Sequence, residues 1–411
     1  MRVSKISVLG LIVSLIYLML FFSVPLNNYV KILDFLDEGI GLFSIIGCTL
    51  IVLNPKTKEK IKSEISKLFI VIFFILILGF ISSYTSGYNV TFQSKLVDGL
   101  TLVKVPFAFY FVIYGLSNRI KKEVLWIIKP LVLLFLIVAI FFCFLNFFNI
   151  VNLGYDVRFG HESFRFIYNN PGSLSERVFA SFVVISTIKS KKVRHFFYFI
   201  SVLLAFSTFR MNSIVTIIIW PILLFIINRT KKLSISHLVP IILLSVAIGR
   251  NQIKNYFFEG QSPRQLLFRN GFNLMKEKFP FGTGFSTYGS DQAAKNYSEL
   301  YYQLGFSSIW GLQPTNQLFL HDTFWPTIFA QYGFFGGLGY LILVMIQVHT
   351  ILTIPTSNKA LIILLFMYVL ISSVGASILL SAEGLTILLF MGLLTKSNRL
   401  LYKDKSEYEN N

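Results

Sequence analysis

Charged residues are scarce in this chain, and acidic ones most of all. Only 14% of its 411 residues are Asp, Glu, Lys or Arg, where a soluble domain carries about 25%. That shortage excludes the two or three soluble domains that such a length would otherwise suggest. The 19 acidic residues face 37 Lys and Arg, leaving a net charge of +18. A surplus of that size raises the question of nucleic acid, but no long basic tract or soluble nucleic-acid module is visible, so no nucleic-acid partner is expected. Cysteine is nearly missing. Cys48 and Cys143 both fall inside apolar runs and read as small buried hydrophobes, with neither a disulfide framework nor zinc spacing. There is no HExxH, no paired His/Cys cluster and no DxD on the polar segments, so no metal is expected. The lack of a Walker A or Gly-rich nucleotide loop removes ATP as an energy source, and no cofactor is expected. No internal repeat of the transporter kind is seen.

Long apolar runs fill the space that charge leaves. Hydrophobic residues make up 55% of the chain, in stretches near the ~20 residues that cross a bilayer core. The fold class expected is therefore all-α, a polytopic membrane protein of about twelve helices. The spans read as Ile6–Val24, Leu36–Leu53, Leu68–Thr85, Val97–Leu116, Leu131–Val151, Leu174–Ile188, Phe196–Phe209, Ser213–Asn228, Leu238–Gly249, Thr323–Leu352, Ala360–Ile378 and Leu380–Leu394. The N-terminal run continues to Val24 without a small-residue cleavage site, so it reads as the first span and not as a signal peptide. Residues 1–402 form one transmembrane domain on this reading, and 403–411 a disordered tail.

The cations sort to one side of those spans. Arg2 and Lys5, the lysines between Lys56 and Lys67, Arg119 to Lys129, Lys189 to Arg194, Arg229 to Lys232, Lys359, and Lys396 to Lys405 all fall together if there are twelve spans. That side is cytoplasmic by the positive-inside rule, with both termini there. The long loop Arg250–Leu320 and the shorter loop Asn152–Ser173 then face outward.

The outward segments hold the polar chemistry. Ser262-Pro263 reads as a helix start and Phe279-Pro280 as its end. At ~100° per residue Leu267, Phe268, Leu274 and Met275 share one face, opposite Arg269 and Lys276. Such a helix suits the membrane surface. Arg264 lies nearer the apolar side and must reach an anion or water. Pro280-Phe281-Gly282-Thr283-Gly284 is a tight turn whose glycines free backbone N–H groups for an oxyanion; most Gly-x-Gly turns are only turns. His321 precedes the tenth span, with Asp322 or Thr323 as its cap. The positive end of that helix favours the neutral imidazole, which suits a general base; a histidine at an interface also commonly makes a single hydrogen bond and nothing more. Arg210, between two spans, and Arg165, before Asn170-Pro171, have two readings each: lipid-headgroup contact or phosphate binding. Lys104 and Glu383 are ionisable residues within or at the outer ends of spans, where charge is costly and points to function.

In order and sidedness these features resemble the O-antigen polymerase and O-antigen ligase family. The resemblance rests on Arg264 and Arg269, then Pro280 to Phe285 (PFGTGF), then His321-Asp322 opening a span that runs into YGFFGGLGY. Thr208 to Ser213 (TFRMNS) looks like that family's outward Ser-Arg turn, and Arg165 with Asn170-Pro171 like its separate arginine segment. Asp322 stands where the family usually has asparagine. The resemblance implies a metal-independent glycosyltransferase in the bacterial cytoplasmic membrane, acting on its outer face. It implies undecaprenyl-pyrophosphate-linked glycans as donor and acceptor, among membrane lipids and alongside the flippase and chain-length regulator of the same pathway. It implies His321 as catalytic base and Arg210, Arg264, Arg269 and Arg165 on the pyrophosphate, supported by Gly282, Gly284, Asp322, Lys104 and Glu383. The activity expected is polymerisation of repeat units of a cell-surface polysaccharide. A ligase of the same fold, and a lipid-linked glycan transporter, are the alternatives.

Overall fold

The computed structural model describes residues 6–27, 29–158, 160–230 and 262–396, with isolated positions 240, 243, 247, 250 and 254 between the last two. Most of the Leu238–Gly249 span and all of the tail 403–411 expected from the sequence lie outside the described residues. The rest is mostly helical. Among the described residues, five helices are long and apolar enough to cross a membrane: Leu33–Leu53, Glu59–Thr85, Phe92–Tyr114, Asn118–Phe147 and Trp325–Thr353. Four shorter apolar helices accompany them: Val8–Phe21, Met211–Ile227, Lys359–Ser373 and Ala382–Gly392. Large apolar side chains such as Phe43, Phe73 and Phe144 stand exposed on these helices, as a lipid-facing surface requires.

Phe92–Tyr114 is the central element. It packs against Leu36–Leu53 on one side and Ala382–Gly392 on another, and most of its length is buried. Val8–Phe21 lies along Asn118–Phe147, and Pro171–Ser186 fits between Lys191–Ser207 and Ala382–Gly392. The helix starts follow local chemistry. Ser7, Thr91, Ser117, Asn170, Ser190, Asn358 and Ser381 each cap a helix by accepting a backbone N–H.

The only strands among the described residues form an antiparallel hairpin, Gly154–Arg158 with His161–Phe164. The sequence predicts a plain outward loop here, within an all-α chain. Its second strand points Ser163 and Phe164 inward.

The polar segment after residue 262 is a folded structure with its own small core. Pro263–Glu277 begins as expected, with the Ser262 hydroxyl accepting from Gln265 N at 3.3 Å. Its apolar face does not lie on lipid, as the sequence suggested. It packs on Trp325–Thr353, and Leu267 and Leu274 join Tyr288, Tyr301, Phe306 and Leu320 in a buried cluster.

The turn at 280–284 holds this segment to the bundle. Trp325–Thr353 is broken at Gly333, which adopts φ 67°, ψ −168°. The break leaves helical carbonyls without their usual donors. The turn supplies them: Thr283 N donates to Ala330 O and Gly284 N to Gln331 O, both at 2.8 Å, while Phe334 N donates back to Pro280 O at 3.1 Å. Phe285 N donates to the Ser83 hydroxyl (3.0 Å) and Ser286 N to the Asp98 carboxylate (2.7 Å). Gly284 has φ +89°, and a Cβ there would lie 2.5 Å from Ser83 Cα. Gly284→Ala should therefore cost more than backbone strain alone, about 2–3 kcal/mol. Gly87→Ala, at φ +77° with open space around it, isolates the strain at about 1 kcal/mol. Thermal unfolding in detergent checks the ranking; equal melting points would show that the close approach at Gly284 carries no weight.

Candidate functional site

Two cavities lie at opposite ends of the same helices. Pro171–Ser186 contributes Ser173 and Glu176 to the larger and Ser186 to the smaller; Lys359–Ser373 contributes Met367 and Ser372 to the larger and Leu361 to the smaller. The larger holds about 1640 Å³. It collects Lys104, Arg210, Arg264, His321, Asp322 and Glu383 of the residues singled out from sequence. Arg165, Arg269, Gly282 and Gly284 do not line it.

Each exclusion has a physical reason. Arg269 is exposed on the far side of its helix, because five residues turn an α-helix by ~500°, leaving it ~140° from Arg264. Arg165 turns toward its own loop, donating to Asn169 O at 3.5 Å and lying over the Tyr155 ring. Gly282 and Gly284 form no anion cradle. The N–H of Gly282 donates to Lys278 O, and those of Thr283, Gly284, Phe285 and Ser286 are held by the partners described above.

Asp322 is not a helix cap. Phe324 occupies the cap position of Trp325–Thr353 without a side-chain hydrogen bond, and the buried Thr323 hydroxyl has no partner among the described residues. Asp322 Oδ2 accepts instead from Arg264, from Nε at 3.1 Å and from Nη2. A two-pronged charge-assisted pair outweighs a single cap bond. Arg264 thus finds in Asp322 the anion its apolar-side position demands. It is 20% exposed at its side chain and still lines the cavity. His321, the preceding residue, faces the same cavity, and its ring makes no hydrogen bond with the described residues.

Lys104 does not pair with Glu383. Its Nζ donates to Asp37 and, at 3.0 Å, to Glu38 Oε1; the lysine is 3% exposed and Asp37 7%. Glu383 sits in the first turn of Ala382–Gly392 and accepts from the Ser173 hydroxyl at 3.4 Å.

The structure adds residues that the sequence reading passed over. Arg158 lines the cavity beside Asp156, which it holds at 2.7 Å. Partial burial opposes ionisation of Asp156, but hydrogen bonds from Arg158 and Ser163, with the charge of Arg210 nearby, hold its carboxyl below the usual carboxylate range. Glu176 also lines the cavity; its Oε2 lies 3.8 Å from Arg177 Nη1 and makes no hydrogen bond among the described residues. The fully buried Arg177 donates to Phe21 O at 3.0 Å and Ser23 Oγ at 3.3 Å. Both lie inside an apolar run, the same signal that picked out Lys104. Among the described residues of the wall carboxylates outnumber cations: Asp34, Asp37, Glu38, Asp156, Glu176, Asp291, Asp322 and Glu383 against Lys104, Arg158, Arg210, Arg264 and Lys295. Guanidinium groups can meet an anion locally, and carboxylates can accept from hydroxyl donors. Leu20, Val24, Val215 and Leu370 give the same cavity an apolar flank.

Comparison with family models, with curated proteins and with solved structures finds no match for this chain.

Removing Lys104 leaves two carboxylates buried together. Lys104→Met should destabilise the protein by about 3–5 kcal/mol, and adding Asp37→Asn and Glu38→Gln should recover most of it. Unfolding in detergent measures both; a triple variant no more stable than the single would contradict the pairing.

Proposed function

We propose that the protein is a membrane glycosyltransferase that joins polyprenyl-pyrophosphate-linked repeat units of a bacterial cell-surface polysaccharide, working at the outer face of the cytoplasmic membrane. One observation carries this reading: Arg210, Arg264 and His321, far apart in sequence, line a single cavity with polar and apolar walls. The donor is an amphiphile with a diphosphate between sugar and isoprenoid chain. Arg210 and Arg264 would meet the diphosphate, the apolar flank the start of the prenyl chain, and the carboxylate-rich wall the sugars. At about 1640 Å³ the cavity exceeds the ~300–1000 Å³ of ordinary small-ligand sites, which leaves room for an acceptor glycan as well.

The chemistry needs few groups. The pyrophosphate is already a leaving group, and guanidinium groups stabilise the charge that grows on it as the anomeric C–O bond breaks. The acceptor hydroxyl attacks that carbon while His321, whose ring is not committed elsewhere among the described residues, takes its proton. Arg264 is oriented by Asp322, next in sequence to His321, so the pair sets the spacing between anion site and base. The twelve-span arrangement with both termini inside belongs to this reading. It places the Lys121–Arg194–Lys396 end at the cytoplasm and the large cavity outside.

Purified protein given a lipid-pyrophosphate repeat unit should build a ladder of products. His321→Ala should slow it ~10²–10⁴-fold, and Arg210→Ala or Arg264→Ala ~10²-fold or more. Arg165→Ala and Arg269→Ala should stay within a few-fold of the parent. Loss on Arg269→Ala as deep as on Arg264→Ala would remove this cavity as the site. Transfer of a single finished glycan to a final acceptor, without a ladder, would point to a ligase. Translocation without a new glycosidic bond would point to a transporter.

A further inference from the structure

The smaller cavity, at the other ends of the helices, is independent of the glycosyl-transfer reading. It holds about 700 Å³. Lys121, Lys122, Arg194 and Lys396 line it, and among the described residues no Asp or Glu does. The larger cavity, with eight carboxylates among the described residues, has the opposite character. Lys121 is the decisive residue. It is 2% exposed, and its Nζ donates to Ile113 O at 2.9 Å, Thr395 Oγ1 at 2.8 Å and Thr395 O at 3.4 Å. All three acceptors are neutral. Glu123, two residues on, is held elsewhere by Ser7 and Arg119. A buried ammonium with neutral neighbours alone is costly, and an anion brought into the cavity offsets that cost. Leu125, Trp220 and Leu361 make part of the wall apolar, so the complementary ligand has an anionic head and an apolar body.

We infer that this cavity binds the phosphate headgroup of an anionic phospholipid from the adjacent leaflet. Lys121 sits beneath the phosphate, the exposed Lys122 and half-buried Arg194 flank it, and the acyl chains run along Leu125, Trp220 and Leu361. Basic pockets between membrane helices at the cation-rich end of a protein are suited to such headgroups. Arg194 is already steered by one hydrogen bond, from Nη1 to Ile188 O at 3.2 Å, which leaves its other donors for the ligand.

Native mass spectrometry of the full chain in neutral detergent tests this, with phosphatidylglycerol, phosphatidylethanolamine and inorganic phosphate as probes. One phosphatidylglycerol should stay bound under conditions that strip phosphatidylethanolamine. The double variant Lys122→Gln, Arg194→Gln, altered only at accessible positions, should retain it roughly 25-fold more weakly, at about fivefold per cation. Lys121→Gln should abolish retention, with a melting curve to confirm folding. Equal retention of the two lipids, or a double variant that binds like the parent, overturns the inference. Displacement of the lipid by an equal concentration of inorganic phosphate overturns the lipid assignment and leaves a free-phosphate site.

Discussion

A broken helix mended by a distant turn is the constraint on which the candidate site depends. Gly333 interrupts Trp325–Thr353, and the backbone of residues 280–284 supplies donors to Ala330 and Gln331 that the helix itself no longer provides. In a low-dielectric setting an unsatisfied carbonyl costs several kcal/mol, so neither partner keeps this geometry alone. Ser82 and Ser83, on Glu59–Thr85, close the other side by bonding Phe281 O and Phe285 N. Three separate pieces of chain are thereby locked at one point. The helix carrying Arg264 runs directly into this turn, and His321 lies just before the mended helix.

Charge is divided between the two ends of the bundle in different ways. At the larger cavity three cations are paired with carboxylates: Lys104 with Asp37 and Glu38, Arg158 with Asp156, Arg264 with Asp322. Such pairs hold side chains in fixed directions. At the smaller cavity Lys121 and Arg194 donate only to neutral acceptors among the described residues.

Parts of the site were legible before the structure. Lys104 and Glu383 were marked by lying in or beside apolar runs, and Ser262 by its place before a proline and an amphipathic helix. Other parts were misread for local reasons. The turn at 280–284 looked like a donor cradle because glycine permits exposed N–H groups, yet those groups serve the break at Gly333. Asp322 looked like a cap because it precedes a helix, yet Arg264 reaches it across 58 positions. Arg264 and Arg269 were grouped although helical phase alone separates them. Glu176 and Arg177 were overlooked inside a span, where the rule applied to Lys104 would have found them.

Composition and periodicity by themselves determined that this is a helical, membrane-type chain, where most helices begin, and that its cations cluster between the apolar runs. Those are properties of near neighbours: hydropathy over one turn or one span, a cap and its N–H, a loop and its charges. Only the tertiary structure decided that Arg210, Arg264 and His321 share one cavity while Arg165 and Arg269 do not, that Lys104 answers to Asp37 and Glu38, and that Lys121 is buried among neutral oxygens. Each of these is a contact between helices, and apolar runs of similar composition do not specify which of their faces will meet.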